Sequence, residues 1–221
     1  MGWPLHDQPV HRRYKEDNMA KKYVENLKVC FLIKIDGHFY NEWEIAEDLA
    51  VLKRAAAQGK IDLDTTDGAI SIRYNNDELL GTDFWDEINL IAGSIASNLS
   101  KLTQGQPVIE FFPLNSLWLH LTPKRERVVY ELKSSDNLSL LRDMKRSLPK
   151  VHFIREFELM FWRMVKLLAD LGSYSAQETL RVWPSFLHPS LANIVDTTSV
   201  QRIVDQPLEV VLTSNGCGGN K

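Results

Sequence analysis

The longest periodic segment, Val151 to Leu171, most constrains what this chain can fold into. Its large apolar residues recur every three or four positions, as along one face of an α-helix: Phe153, Phe157, Phe161, Met164, Leu168 and Leu171. A narrower polar face carries Arg155, Glu156, Arg163, Lys166 and Asp170. Pro149 before the segment and Gly172 after it are typical of a helix start and a left-handed C-cap. The pattern predicts a helix roughly 30 Å long that packs against a large apolar surface such as a sheet.

Strands and helices alternate along the rest of the chain. Lys28 to Tyr40 is rich in β-branched and aromatic residues and predicts a strand that turns at Asp36-Gly37. Asn41 is placed to cap a following helix, and Thr82 or Asp83 to cap a second long one. Three short apolar runs, VIEFFP, SLWLHL and RVVYELK, are separated by Pro-containing turns and predict an antiparallel meander.

Four shorter segments carry local signals of their own. Asp67-Gly68 lies between alternating apolar residues and predicts a hairpin turn. Leu138 to Met144 and Ala176 to Trp183 predict short helices, and Leu208 to Leu212 a last strand. This element order predicts an α+β fold, in which an antiparallel sheet of about five to six strands carries two or three long helices. We expect one domain over residues 23–213, with a polar N-terminal arm (1–22) and a flexible tail (214–221).

The cysteines and the apolar runs suggest a cellular location. Cys30 and Cys217 are far apart and have no CxxC partner, so a disulfide framework or a zinc site is not expected and a reducing compartment fits. The N-terminal residues lack a signal-peptide apolar core, and Arg163 and Lys166 interrupt the most apolar long segment. These features predict a soluble, cytoplasmic protein that does not bind membranes.

Charge is distributed unevenly. Residues 36–87 hold thirteen Asp and Glu against four Lys and Arg, a net charge of −9, whereas the whole chain carries −3. Such a segment repels phosphates, so nucleic acid is not an expected partner there, and it would attract a basic protein. An acidic surface that serves only solubility is the alternative interpretation.

The chain carries no motif of catalysis, cofactor binding or metal binding. Asp62, Asp64 and Asp67-Gly68 are reminiscent of a calcium loop, but its sixth and twelfth positions would be Asp67 and Arg73, which breaks the pattern. No catalytic residue, metal ligand or cofactor is therefore assigned. The adjacent Phe111 and Phe112 would point to opposite faces of a strand, which implies either a sheet covered on both sides or an exposed aromatic ring.

In its element order, the chain resembles the α+β immunity proteins of bacterial polymorphic and contact-dependent toxin systems. The resemblance lies in GAISIRYNNDELLGTDFWDEINLIAGSIASNLSKL and in RVVYELK followed by LPKVHFIREFELMFWRMVKLLADLG, and it covers residues 28–172. It implies a non-enzymatic inhibitor that binds and neutralises a cognate toxin; the acidic segment would suit a basic, nuclease-like one.

The partner-binding residues that we predict are acidic: Glu44, Glu47, Asp48, Asp77, Glu78 and Asp83. Two other functions stay open. One is a small-ligand enzyme or sensor with a pocket between sheet and helix, lined by His120, Glu110 or Tyr130. The other is a structural subunit of a larger assembly that docks through the arm or the tail. The sequence leaves the oligomeric state open.

Overall fold

Two antiparallel sheets and a set of helices make up the α+β fold of the computed structural model, which describes residues 26–75, 77–134 and 144–214. The strands are β1 (Leu27–Ile35), β2 (His38–Asn41), β3 (Asp67–Tyr74), β4 (Asp77–Leu80), β5 (Asp86–Glu87), β6 (Val108–Phe112), β7 (Leu117–Lys124), β8 (Arg127–Ser134) and β9 (Met144–Pro149). The helices are α1 (Glu42–Glu47), α2 (Leu49–Ala57), α3 (Ile88–Thr103), α4 (Lys150–Leu171), α5 (Tyr174–Arg181), α6 (Trp183–Phe186), α7 (Thr197–Asp205) and α8 (Leu208–Thr213). The predicted α+β class is confirmed.

The strands form two sheets where the sequence predicted one. The first sheet has the order β2-β1-β3-β4, with β5 paired to β3, and the second has the order β6-β7-β8-β9. The predicted meander is the β6-β7-β8 part of the second sheet. At one end the sheets meet, because the Tyr130 hydroxyl on β8 donates a hydrogen bond to the Leu79 carbonyl on β4 over 3.0 Å.

The central helix is α4, which contacts strands of both sheets and the helices α3, α5, α7 and α8. Gly172 adopts the left-handed conformation at its C-terminus, with φ of 109°, as the sequence predicts. One residue departs from the predicted polar face: Arg163 is 2% exposed. The helix is therefore surrounded by protein over most of its circumference.

Arg163 is buried because Glu42 of α1 lies beside it. The Arg163 Nε donates to Glu42 Oε2 over 2.6 Å, and Nη2 donates to Oε1 over 3.1 Å. The same guanidinium donates to the Val29 carbonyl, and the Phe31 N–H donates to Glu42 Oε1. This buried ion pair joins α1, β1 and α4.

Local capping sets where α1 begins. The Asn41 side chain accepts hydrogen bonds from the backbone N–H groups of Trp43 and Glu44, and the Glu44 carboxylate accepts one from the Asn41 N–H. This reciprocal arrangement is a capping box, and it confirms Asn41 as the predicted helix cap.

Three of the local predictions are wrong. Neither Thr82 nor Asp83 caps α3, because Thr82–Phe84 is a separate 3-10 helix, β5 follows it, and α3 begins only at Ile88. Asp67-Gly68 is the first part of β3 and not a hairpin turn; a Cβ on Gly68 would lie 2.2 Å from the Leu32 carbonyl oxygen, so glycine is needed for close strand approach. Leu208–Thr213 is the helix α8 and not a strand, since its buried residues Leu208, Val211 and Leu212 are spaced for one helical face.

Some predicted segments lie outside the described residues. These are the arm (1–22), the tail except Ser214, and the predicted helix at Leu138–Met144 except Met144, which begins β9. The predicted short helix at Ala176–Trp183 corresponds to α5 and the start of α6. Within the described ranges, no helix combines the length and the apolar character needed to span a membrane.

Cys30 on β1 is disulfide-bonded, which corrects the expectation that the chain forms no disulfide. The only other cysteine of the sequence, Cys217, lies outside the described residues. The cysteines therefore give no argument for a reducing compartment.

Candidate functional site

Three of the predicted partner-binding residues lie on or beside α1. Glu47 and Asp48 are exposed at its C-terminal end, and in the described part of the chain no cationic side chain pairs with them. Glu44 is half-buried and its carboxylate is engaged in the capping box. The free negative charge of this group is thus carried by Glu47 and Asp48.

The other three lie on β4 and in the turn after it. Asp77 is 3.4 Å from the Arg146 Nε of β9, and Glu78 is 3.5 Å from the Arg73 Nε of β3. Both pairs are well exposed, so each contributes little to stability and leaves its carboxylate open to solvent. Asp83 lies in the short 3-10 helix Thr82–Phe84 and is exposed.

The fold separates these acidic residues into two groups. Strand β4 is at one edge of the first sheet, whereas α1 directly follows β2 at the opposite edge. Three strand spacings of about 4.8 Å place the edge strands roughly 14 Å apart. The chain therefore presents two separate acidic groups, an α1 acidic group (Glu47, Asp48) and a β4 acidic group (Asp77, Glu78, Asp83).

The residues of the alternative pocket do not converge. Glu110 and Tyr130 face the helices: Glu110 accepts hydrogen bonds from Ser94 (2.7 Å) and Asn98 (3.2 Å) of α3, and Tyr130 is fully buried. Burial raises the pKa of Tyr130, so its hydroxyl stays protonated. His120 pairs with Ile109 and Glu131 on the outer face of the sheet. Burial lowers the pKa of His120, with Lys133 acting in the same direction and Glu131 opposing it.

Asp64, part of the rejected calcium pattern, has a structural role. Its Oδ1 accepts hydrogen bonds from the hydroxyls of Ser173 and Ser175, each over 2.6 Å, and these bonds hold its pKa below the usual range. They tie the loop before β3 to the junction of α4 and α5. No group of three or more His, Cys, Asp or Glu side chains within the described ranges is placed to hold a metal ion.

An apolar patch lies on the outer face of the second sheet and consists of Ile109, Phe111 and Trp118, which are 50%, 37% and 39% exposed. The rings of Phe111 and Trp118 contact each other, with centroids 4.6 Å apart. Phe112 points to the opposite face and is buried. Of the two alternatives for this adjacent aromatic pair, the exposed aromatic ring is therefore the one observed, and it is Phe111. We call these three residues the outer patch.

Sequence reasoning did not predict the burial of Glu42, Asp86 or Glu158; the last of these, on α4, is 3% exposed. Its Oε1 accepts a 3.0 Å hydrogen bond from the Trp162 indole, and its Oε2 has no hydrogen-bond partner in the described part of the chain. Burial raises its pKa from 4.5 to about 7, and the Trp162 bond opposes this shift. The i, i+4 spacing of Glu158 and Trp162 inside an apolar stretch is the signal that could have identified it.

Glu158 should make stability depend on pH. Because its pKa is raised in the folded protein, its stabilising effect is complete below pH 4.5 and is lost as pH rises through about 7. The span from 4.5 to about 7 corresponds to about 3 kcal/mol. We expect Glu158→Gln, which keeps an acceptor for Trp162, to be more stable than the wild type by about that amount at about pH 8 and nearly equal at about pH 4.5.

Urea unfolding of both proteins across this pH range measures the difference, and the comparison cancels the contributions of all other titrating groups. A difference in unfolding free energy that does not change with pH would show that Glu158 titrates normally.

The described residues thus bring together two acidic groups at opposite sheet edges, an outer patch of apolar side chains and the buried acid Glu158. The acidic groups and the outer patch are exposed and are available to a partner. Comparison of the chain with protein-family models, with curated proteins and with solved structures finds no match.

Proposed function

We propose that this chain is a non-enzymatic protein-binding module of the immunity type, which binds and neutralises a cognate toxin with a basic, nuclease-like surface. One observation carries the proposal: the acidic segment displays exposed carboxylates at both edges of the first sheet, and Glu47, Asp48 and Asp83 have no cationic partner among the described residues.

The physical role of such carboxylates is to accelerate the encounter with an oppositely charged protein. Exposed charges change the association rate and its salt dependence more than the final affinity. Because the two acidic groups lie at opposite edges, a toxin centred on one edge would contact one group most closely. The other group would still attract the toxin over a distance of about a Debye length.

The α+β fold agrees with the class that the resemblance to immunity proteins implies. Many α+β proteins have other functions, so the fold is a weaker argument than the charge. Asp77 and Glu78 form exposed ion pairs, and Glu78 also accepts a 3.5 Å hydrogen bond from the Ser71 hydroxyl, whereas Glu47 and Asp48 form no ion pair that the described residues show. All four can therefore be exchanged with little effect on folding.

The first test is protection. A toxin domain encoded beside this gene is expressed in bacteria with and without the chain, and growth is expected to be restored only when the chain is present. Unchanged toxicity in the presence of the folded chain, with every toxin domain so encoded, would contradict the immunity function.

The second test measures association rates. We expect Glu47→Lys/Asp48→Lys or Asp77→Lys/Glu78→Lys to slow association with that toxin about tenfold at about 50 mM salt, and much less at about 500 mM. Glu126→Lys/Asp205→Lys is the matched control, because it changes the net charge equally at exposed sites outside the segment. Equal slowing by all three variants would show that net charge, not these groups, attracts the partner.

A further inference from the structure

The second sheet ends at the edge strand β6, whose outward-facing backbone groups have no hydrogen-bond partner among the described residues. In the described part of the chain, β6 pairs only with β7, and no other backbone or side chain bonds its outward-facing N–H and C=O groups. Pro107 and Pro113 bound the strand, and its register with β7 contains no bulge. An open, regular edge of this kind is a template for pairing with another strand.

The side chains along this edge do not protect it. Edge strands are usually guarded by lysines, prolines or bulges. On the outer face, β6 instead shows Ile109 and Phe111, which continue into Trp118 of β7 to form the outer patch. The one charged residue of β6, Glu110, faces the helices, where Ser94 and Asn98 bind its carboxylate. The edge therefore combines open backbone groups with an exposed apolar strip.

From this geometry we infer that two copies of the chain pair antiparallel through β6 and join their four-stranded sheets into one sheet of eight strands. Residues that oppose each other in an antiparallel pair lie on the same face of the sheet. A two-fold axis through the β6 pair thus brings Ile109 and Phe111 of one copy beside Ile109 and Phe111 of the other. The surface is self-complementary, which an isologous dimer requires.

The exposed area indicates how strong this dimer is. Trp118 lies on β7, one strand in from the edge, so only Ile109 and Phe111 meet their counterparts across the pair. If each of these two side chains has about 200 Å², the exposed fractions leave roughly 170 Å² of apolar surface per copy. Two copies supply roughly 350 Å², which corresponds to an interface of about 600 Å² when somewhat over half of it is apolar. That value falls among weak, reversible interfaces, so we expect a dissociation constant of about 100 µM.

Sedimentation of the full chain from about 1 to about 300 µM tests the inference. The wild type should pass from monomer to dimer over this range. Ile109→Lys, which places a charge on the open edge, should weaken dimerisation at least about tenfold. Val210→Lys on α8 is the matched control, because Val210 is 47% exposed against 50% for Ile109, and it should dimerise like the wild type.

Hydrogen exchange distinguishes pairing through β6 from non-specific association of the apolar surface. Outward-facing amides of Val108–Phe112 should exchange at least about fivefold more slowly at concentrations where the dimer forms, while amides of β2 should not change. A chain that stays monomeric at about 300 µM would overturn the inference and leave the edge to a strand of a different protein. A dimer that Ile109→Lys leaves intact would overturn it as well. Neither result bears on the toxin-binding proposal, which rests on the acidic groups.

Discussion

Replacing Arg163 by methionine is expected to lower the free energy of unfolding by about 3–5 kcal/mol, because it leaves a buried carboxylate without its counter-charge. Glu42 is fully buried and receives two hydrogen bonds from the Arg163 guanidinium. After the substitution, the Phe31 N–H is the one hydrogen-bond donor among the described residues that still binds it. The loss should appear as a lower urea midpoint at neutral pH, with an unchanged dependence on urea concentration.

Two further variants separate the ion pair from the packing around it. Arg163→Met/Glu42→Leu removes both charges, and it should recover most of the lost stability because well-packed apolar side chains can replace a buried pair. Arg181→Met makes the same change in the exposed Arg181–Glu178 pair and should cost at most about 1 kcal/mol. If the double variant were as unstable as Arg163→Met, the cost would come from lost shape and not from the unpaired charge.

Replacing Phe157 by alanine is expected to destabilise the fold by about 3–5 kcal/mol, because a fully buried aromatic ring is exchanged for a cavity. Phe157 is 0% exposed and packs beside Phe153 on the same helix, with ring centroids 5.9 Å apart. Its helix contacts both sheets, so the surrounding structure has little freedom to close the cavity. Thermal and urea unfolding measure the effect.

Tyr174→Ala serves as the control for this prediction. Tyr174 is an aromatic residue that is 72% exposed, so its removal should change the unfolding free energy by no more than about 0.5 kcal/mol. If Phe157→Ala abolished partner binding while stability stayed intact, α4 would be an interface and its assignment to the core would be wrong.

Local patterns were sufficient for α4 and for the start of α1. The spacing of apolar residues and the terminal Gly172 located α4 to within one residue, and Asn41 located the start of α1. Both signals act within one or two helical turns, where sequence neighbours are also spatial neighbours. The same reasoning succeeded for the β6-β7-β8 meander, since its strands are joined by short turns.

Where a segment depends on a distant partner, the sequence was less informative. The pattern missed β9, whose basic residues Lys145 and Arg146 lie on an edge strand that pairs with β8. The sequence pattern predicted a turn at Asp67-Gly68 because Asp-Gly pairs are common in hairpin turns. In the structure Gly68 lies inside β3, where the Leu32 carbonyl oxygen comes too close to leave room for a side chain. The mostly apolar run Leu208–Leu212 is short enough to fit either a strand or a helix. Its packing in the folded protein makes it the helix α8.

For the candidate site, composition found the acidic segment but not its arrangement. Glu42 and Glu47 are both glutamates of α1, yet Glu42 is buried against Arg163 and Glu47 is exposed. Likewise, Arg163 and Glu158 are charged residues of α4. Periodicity placed Arg163 on the solvent-exposed face and gave no sign that Glu158 is buried. Their environments come from β1, α1 and Trp162.

By itself, the sequence determined the α+β class, the central helix and the net charge of the acidic segment, because these depend on local periodicity, capping and composition. Only the tertiary structure decided that the strands form two sheets, that the acidic residues divide between two edges, and that β6 leaves an open apolar edge. These features depend on strand pairing and helix packing between residues far apart in the chain, and no local pattern encodes which of several compatible partners is chosen.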